Sequence, residues 1–256
     1  VRTSAFDTVF DTVVIGQANI SKVSFDLAVS SILEFARLRQ SHYIVTPNTD
    51  HILQLESDAE LRAAYADATL VVCDGRPLLW ASYLLGTPLP EVVTGADLMP
   101  ALCQAGAGLG LKIAIIGGPP GSAELAGKNL VARYPGIRVE WTYCPPMGFE
   151  KDPHQSDFIV SSLNERDVDL VFVGVGAPKQ EKWIHLHQSR LRVGVLLGIG
   201  AAIEFVAGTL PRAPKFMRRL GLEWLFRLWQ QPRRLFIRYF KDTFFAVIVL
   251  RQLLKK

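Results

Sequence analysis

Residues 70–76 read Leu-Val-Val-Cys-Asp-Gly-Arg, and the fold follows from how this stretch is read. Four consecutive apolar residues, 70–73, make the short continuous run of a strand covered on both faces. Asp74-Gly75 ends the run, and Arg76-Pro77 opens a helical pattern over 77–85, with proline suited to a first helical turn. Asp74 is therefore expected at the carboxyl end of a strand, where open α/β sheets hold their ligands. A carboxylate there serves as a general base or as a cap on the next helix.

The same unit recurs outward in both directions. Strands are expected at 12–15 and 42–45 with a helix at 24–39 between them; the second strand runs into Thr46-Pro47-Asn48. Short helices fit 49–55 and 58–66, and a further helix fits 95–105. Strands at 112–116, 137–143, 169–173 and 193–197 then alternate with helices from 122 to 133, at 154–164, 179–189 and 201–207. Such alternation predicts a Rossmann-like α/β fold, a largely parallel sheet with helices on both faces. Glycines at 117, 174 and 198 follow strand ends and precede helices, which lets backbone N–H groups approach phosphate.

The 256 residues suffice for one large or two small domains. The three cysteines, Cys73, Cys103 and Cys144, are far apart with no C-x-x-C pair, which argues against a disulfide framework or zinc site and for a reducing compartment. No basic segment followed by an apolar core is seen at the start, so no signal peptide is expected. The net charge of +4 is unevenly spread. Residues 208–256 hold twelve Lys/Arg against Glu223 and Asp242, leaving 16 basic and 22 acidic residues in 1–207. The chain is thus divided into an α/β core, 1–207, and a basic helical appendage, 208–256, suited to an anionic surface or ligand. In the appendage Arg234, Arg238 and Lys241 share one side of a helical wheel, with Phe236, Tyr239, Phe240, Val247 and Leu250 mainly opposite. That pattern fits a helix lying on a membrane, or one packed on its own domain or a second subunit. The uncharged run 243–250 is far short of the ~20 residues a spanning helix needs.

Residues 117–122 lack G-x-G-x-x-G, and no Walker sequence occurs. The denser segment is 174–183, Gly-Val-Gly-Ala-Pro-Lys-Gln-Glu-Lys-Trp, which places Lys179 and Gln180 at a helix start near the sheet edge, within reach of a diphosphate or sugar hydroxyls. Thr46 and Asn48 flank Pro47 at another strand end, as polar ligands or as turn and cap residues. Glu204, after Gly198 and Gly200, either accepts hydrogen bonds from ribose or uracil or sits on a helix surface. His51, His185 and His187 have no metal-like partners in the sequence and read as packed or solvated.

Taken together, Thr46-Pro47-Asn48, Cys73-Asp74-Gly75, Pro-Leu-Pro-Glu-Val-Val-Thr-Gly-Ala-Asp-Leu at 88–98, and the segments 174–183, 198–208 and 212–239 resemble the WecG/TagA/CpsF glycosyltransferases, glycosyltransferase family 26. The order of the motifs, with Arg-Ala-Pro-Lys and Gly-Leu-Glu-Trp-Leu-Phe-Arg in the appendage, is the specific part, and the match runs over residues 12–239. The resemblance implies an inverting, metal-independent transferase with no cofactor, moving a sugar from a UDP-sugar to an undecaprenyl-diphosphate-linked sugar. It implies Asp74 as base, Thr46, Asn48 and Gln180 in the same pocket, and Arg227 and Arg234 as the appendage cations that complete the site. It also implies a peripheral location on the cytoplasmic face of the bacterial inner membrane, in exopolysaccharide synthesis. An anionic membrane surface and a homo-oligomer are possible partners and nucleic acid is not.

The sequence departs from the family pattern in three places. Val92 stands where many members carry Arg, so the donor is N-acetylmannosamine or a hexose such as glucose. Glu204 replaces a usual Asp, and Ile237 stands where an appendage Arg is usual, with Arg238 beside it. Two other classes compete: a nucleotide-dependent oxidoreductase, which the missing fingerprint opposes, and a membrane-docked nucleotide-sugar binding subunit without turnover.

Overall fold

The computed structural model describes residues 10–255, apart from the side chains of Lys215, Arg219, Arg234 and Arg238. A two-stranded antiparallel hairpin comes first, β1 (Thr12–Ile15) and β2 (Ala18–Ser21). Then follow α1 (Phe25–Leu38), β3 (His42–Val45), α2 (Thr49–Ser57), α3 (Ala59–Ala66), β4 (Leu70–Val71), α4 (Arg76–Leu84) and α5 (Gly95–Gly106). The second half contributes β5 (Lys112–Gly117), α6 (Ser122–Arg133), β6 (Arg138–Tyr143), α7 (Pro153–Asn164), β7 (Leu170–Gly174), α8 (Lys179–His187), β8 (Val195–Gly198) and α9 (Ala202–Ala207). Four helices close the described chain: α10 (Lys215–Arg219), α11 (Glu223–Gln230), α12 (Pro232–Asp242) and α13 (Phe245–Leu254).

Strands β3 to β8 form one six-stranded sheet in the order β4-β3-β8-β7-β5-β6, and every pairing in it is parallel. Side chains alternate across a strand, so each apolar run feeds two cores. Tyr43, Val45, Ala114, Ile116, Val171, Val173 and Leu196 meet α2, α3, α4, α7 and α8 on one face. Ile44, Leu70, Val72, Ile113, Ile115, Leu170, Phe172, Val195 and Leu197 meet α1, α5, α6 and α9 on the other. The expected parallel sheet with helices on both faces is thus present.

Two expectations need correction. The strand at 12–15 does not join the parallel sheet; it pairs with β2, unforeseen in the sequence, around a turn in which Gly16 adopts φ +58°. Its inward residues Val13, Ile15, Ala18 and Ile20 cap the first core. The ladder of the strand at 70–73 is also shorter than expected, two residues, although Val72 N–H still donates to Val45 O at 3.0 Å and Asp74 N–H to Pro47 O at 2.9 Å.

The appendage is helical as expected, and no helix among the described residues is long and apolar enough to cross a membrane. It lies against the core. Arg212 makes a two-pronged ion pair with Asp97, at 2.6 and 2.8 Å, and Arg218 adds a contact at 3.3 Å. Both α12 and α13 pack on α2, and Phe245 and Val249 are buried in the first core. Gln252 closes the contact by accepting from Gly16 N–H at 3.0 Å and donating to Val14 O at 2.7 Å. The packed-helix alternative therefore holds for the inner face of α13, whereas Phe236, Phe240, Val247 and Leu250 remain exposed.

This packing has a measurable consequence. Phe245 is 7% exposed and Leu254 79% exposed. Truncating a buried Phe to Ala costs about 3 kcal/mol or more. Phe245→Ala should therefore lower the denaturant midpoint clearly, and Leu254→Ala should leave it in place; equal effects would mean that α13 does not stabilise the core.

Candidate active site

Every strand of a parallel sheet ends on the same side, so the segments after β3 to β8 emerge along one edge. There they surround a cleft of about 1370 Å³, to which Asn48, Asp74, Gly118, Cys144, Gly176 and Gly200 each bring a different strand end. Helix α11 and the α12–α13 junction supply a further wall through Trp224, Arg227, Tyr239 and Phe245.

Asp74 lies in this cleft and does not cap α4. The N-cap of α4 is Gly75, which makes no side-chain cap bond. Its φ of +132° turns the chain sharply from strand to helix, a conformation open to glycine alone. The carboxyl faces the Gly95 N–H at the start of α5. Burial pushes its pKa up to about 7, and the charge of Glu223 adds to the rise, while His51, the Gly95 N–H and Arg227 oppose it. A carboxylate poised near neutrality in a cleft suits proton abstraction from a hydroxyl.

A chain of polar groups runs behind Asp74. Asn48 caps α2, its side-chain oxygen accepting from the N–H groups of Asp50 and His51. That oxygen lies 2.9 Å from His51 Nδ1, and His51 Nε2 lies 3.4 Å from Oε1 of the fully buried Glu181. Gln180 donates to the same Glu181 oxygen at 2.7 Å and accepts from Gly200 N–H at 3.3 Å, so one end of its amide steadies Glu181 and the other ties the start of α8 to the β8 loop. Thr46, almost fully buried, donates to Gly198 O at 2.9 Å and joins the ends of β3 and β8.

The cations fall into two groups. Arg212 and Arg218 line the cleft but are engaged with Asp97, and Arg212 also reaches Glu223 at 3.5 Å. Arg76, Lys179 and Arg227 line it with no ion pair among the described residues. The guanidinium groups of Arg212 and Arg227 each lie 5.8 Å from the centre of the Phe205 ring.

Of the residues expected from the sequence, Thr46, Asn48, Asp74, Lys179, Gln180, Gly200, Glu204 and Arg227 line one cleft. Gly198 does not; it sits behind Gln180, where a Cβ would come within 3.1 Å of the amide nitrogen. The side chain of Arg234 lies outside the described residues, as does that of Arg238. His51 was expected to be merely packed or solvated, and it is buried but built into the site. The spacing of an N-cap Asn and a side chain three residues on, the capping-box arrangement, was the signal available for it. Arg76, Arg212, Arg218, Glu181 and Glu223 were not singled out as site residues, because their roles depend on partners distant in sequence.

Comparison with known proteins agrees with this geometry. The family described as Glycosyl transferase WecG/TagA/CpsF matches residues 13–256. An N-acetylglucosaminyldiphosphoundecaprenol N-acetyl-beta-D-mannosaminyltransferase of Staphylococcus aureus strain NCTC 8325 is 29% identical over 196 residues, 75% of each chain. A protein of the same name from strain MW2 is 28% identical over 193 residues, 75% of this chain and 74% of its own. With a match over almost the whole sequence and a cleft that gathers the motif residues, the chain belongs to the WecG/TagA/CpsF family and is a glycosyltransferase.

Proposed function

We propose that this glycosyltransferase moves a sugar from a UDP-sugar onto an undecaprenyl-diphosphate-linked sugar with inversion, as a step in cell-envelope polysaccharide synthesis. The observation that carries the reading is Asp74, half-buried at the sheet edge with its pKa near 7 and lining a cleft that also holds Arg76, Lys179 and Arg227. Asp74 takes the proton of the acceptor hydroxyl as that oxygen attacks the anomeric carbon. The bond to UDP breaks on the opposite side, and the charge growing on the diphosphate is met by the cations without a metal ion. Thr46, Asn48 and Gln180 fix the loops around the reacting atoms, and Glu204 with the Gly198–Gly200 turn accepts the nucleoside. The names of the relatives support N-acetylglucosaminyl diphosphoundecaprenol as acceptor and N-acetylmannosamine as one donor. Val92, an apolar residue on the cleft wall, leaves glucose as the other.

The appendage serves as a peripheral membrane dock on the cytoplasmic face. Trp229, Phe236, Ile237 and Phe240 are exposed large apolar residues on α11 and α12, near the cleft wall formed by Trp224 and Arg227. Trp80 of α4, also exposed, lies against Gly221 and extends the patch. A lipid-linked acceptor would then enter from the side on which the enzyme rests. Residues 1–207 thus supply the base and most of the cleft, and 208–256 both dock the enzyme and complete the site through Arg227.

Three measurements test these assignments. Asp74→Asn should cut kcat by about 10²–10⁴-fold. The wild-type rate should have an acid limb near pH 7. The variant should also be more stable than wild type above that pH. The folded-state pKa is raised above the ordinary 3.8, so the contribution of Asp74 to stability is full below 3.8 and lost as pH rises through 7. Near-normal turnover in the variant would remove Asp74 from the reaction. Turnover should persist in excess chelator, and strict dependence on added magnesium or manganese would overturn the assigned role of the cations. Anionic vesicles should bind the protein less well, but still measurably, at high salt, since each basic residue contributes about 1 kcal/mol that salt screens and apolar burial is unscreened. Complete indifference to such vesicles would refute the docking role.

A further inference from the structure

The proposed reaction gives His51 no task, yet its surroundings are specific. It occupies the third position of α2, lines the cleft and is 6% exposed. Its partner Glu181 has no solvent exposure at all. A carboxylate so enclosed needs a cation or several donors. Among the described residues its side-chain contacts are the Gln180 amide and the His51 ring.

Both ring nitrogens of His51 face acceptors. Nδ1 lies 2.9 Å from Asn48 Oδ1, and Nε2 lies 3.4 Å from Glu181 Oε1. Nε2 is thus in ion-pair range of Glu181 without a hydrogen bond, and Glu181 Oε2 has no hydrogen-bond partner among the described residues, so this enclosed carboxylate is balanced when the ring carries its second proton. The neutral ring would instead take the Asn48 N–H on Nδ1, a contact of 3.2 Å. The backbone ties this pair to the base, because Asp74 N–H donates to Pro47 O at 2.9 Å, one residue before Asn48.

We propose that His51 is a positioning residue for Asp74: a buried imidazolium, held between Asn48 and Glu181 on the wall of the same cleft, that favours the charged form of the neighbouring Asp74 carboxyl. The inference rests on Asp74 being the base. The charged and titratable groups around the pair are few. Glu181 of α8, Asp50 of α2, Asp74 itself and the Tyr65 phenol of α3, its ring 6.4 Å away, face His51. Glu223 and Arg227 of α11 face Asp74 from across the cleft. Burial alone would lower the His51 pKa, but the Glu181 carboxylate, with Asp50 and Asp74, raises it above the ordinary value. The imidazolium in turn opposes the burial and the Glu223 charge that push Asp74 up. The chain Glu181–His51–Asp74 therefore alternates in sign, and each member supports the charge of the next.

The test is a set of kcat/KM profiles against pH for the full chain. UDP release is followed with whichever of UDP-N-acetylmannosamine and UDP-glucose the wild type turns over, and a synthetic N-acetylglucosaminyl diphospholipid as acceptor. His51→Gln should move the acid limb upward by about one pH unit, so that the loss at pH 7 is about fivefold and fades at high pH. Glu181→Gln should move it in the same direction, and the double variant should add nothing to His51→Gln. An unmoved limb in His51→Gln, or a loss equal at every pH, would overturn the inference. If His51→Gln does not fold, Glu181→Gln alone decides, with the same two outcomes. Asp74→Asn separates the two levels: a dead Asp74→Asn beside an unshifted His51→Gln sinks the role of His51 only. An active Asp74→Asn sinks the base and this inference with it.

Discussion

Parallel pairing is the constraint on which this molecule depends. Because β3 to β8 all run the same way, six chain reversals fall on one edge, and side chains from residues 46 to 200 become neighbours there. The ladder also determines how closely they approach. The Thr46 hydroxyl bound to Gly198 O, and the Asp74 N–H bound to Pro47 O, continue the sheet's pairing one step past the strands themselves. The cleft floor is thus as rigid as the sheet, and little reorganisation is needed when charge develops above it.

Charge in the cleft is sorted by whether it is already spent. Asp97 consumes Arg212 and Arg218, and that ion-paired group fastens the appendage to the start of α5. Arg76, Lys179 and Arg227 have no ion pair among the described residues. Asp74 is held at the opposite extreme, buried enough to bind a proton tightly and close enough to cations to release it near neutral pH. A site of this kind is costly in the empty protein, where the same desolvation that tunes the base weakens the fold.

The sheet was legible in the sequence because its strands are covered on both sides and read as unbroken apolar runs, as 112–116 and 169–173 do. The hairpin partner β2 was not legible: Ala18–Ser21 offers only one strongly strand-forming residue, Ile20, and gains its stability from β1 and the core beneath it. Thr46, Asn48, Asp74 and Gln180 were legible because strand ends before helices are where ligands bind. The Glu181–His51 contact spans 130 residues of sequence and exists only once α2 and α8 share a face of the sheet. Nothing local at His51 distinguishes it from a packed histidine except its spacing from the Asn48 cap. Likewise, the wheel of the basic helix showed two sides but could not say which residues would face inward. Leu235, Phe245 and Val249 do so, while Phe236 and Phe240 face out.

The clasp between Gln252 and the first hairpin joins residues 14 and 16 to one more than 230 positions later. Closing so long a loop carries an entropic cost, though one that grows only slowly with its length. In chain order every strand end of the cleft precedes α11 to α13, which furnish the remaining wall. A chain truncated before α11 therefore carries the sheet edge without that wall. Such a chain lacks Trp224, Arg227, Tyr239 and Phe245, so its cleft stays open along the side that these residues close.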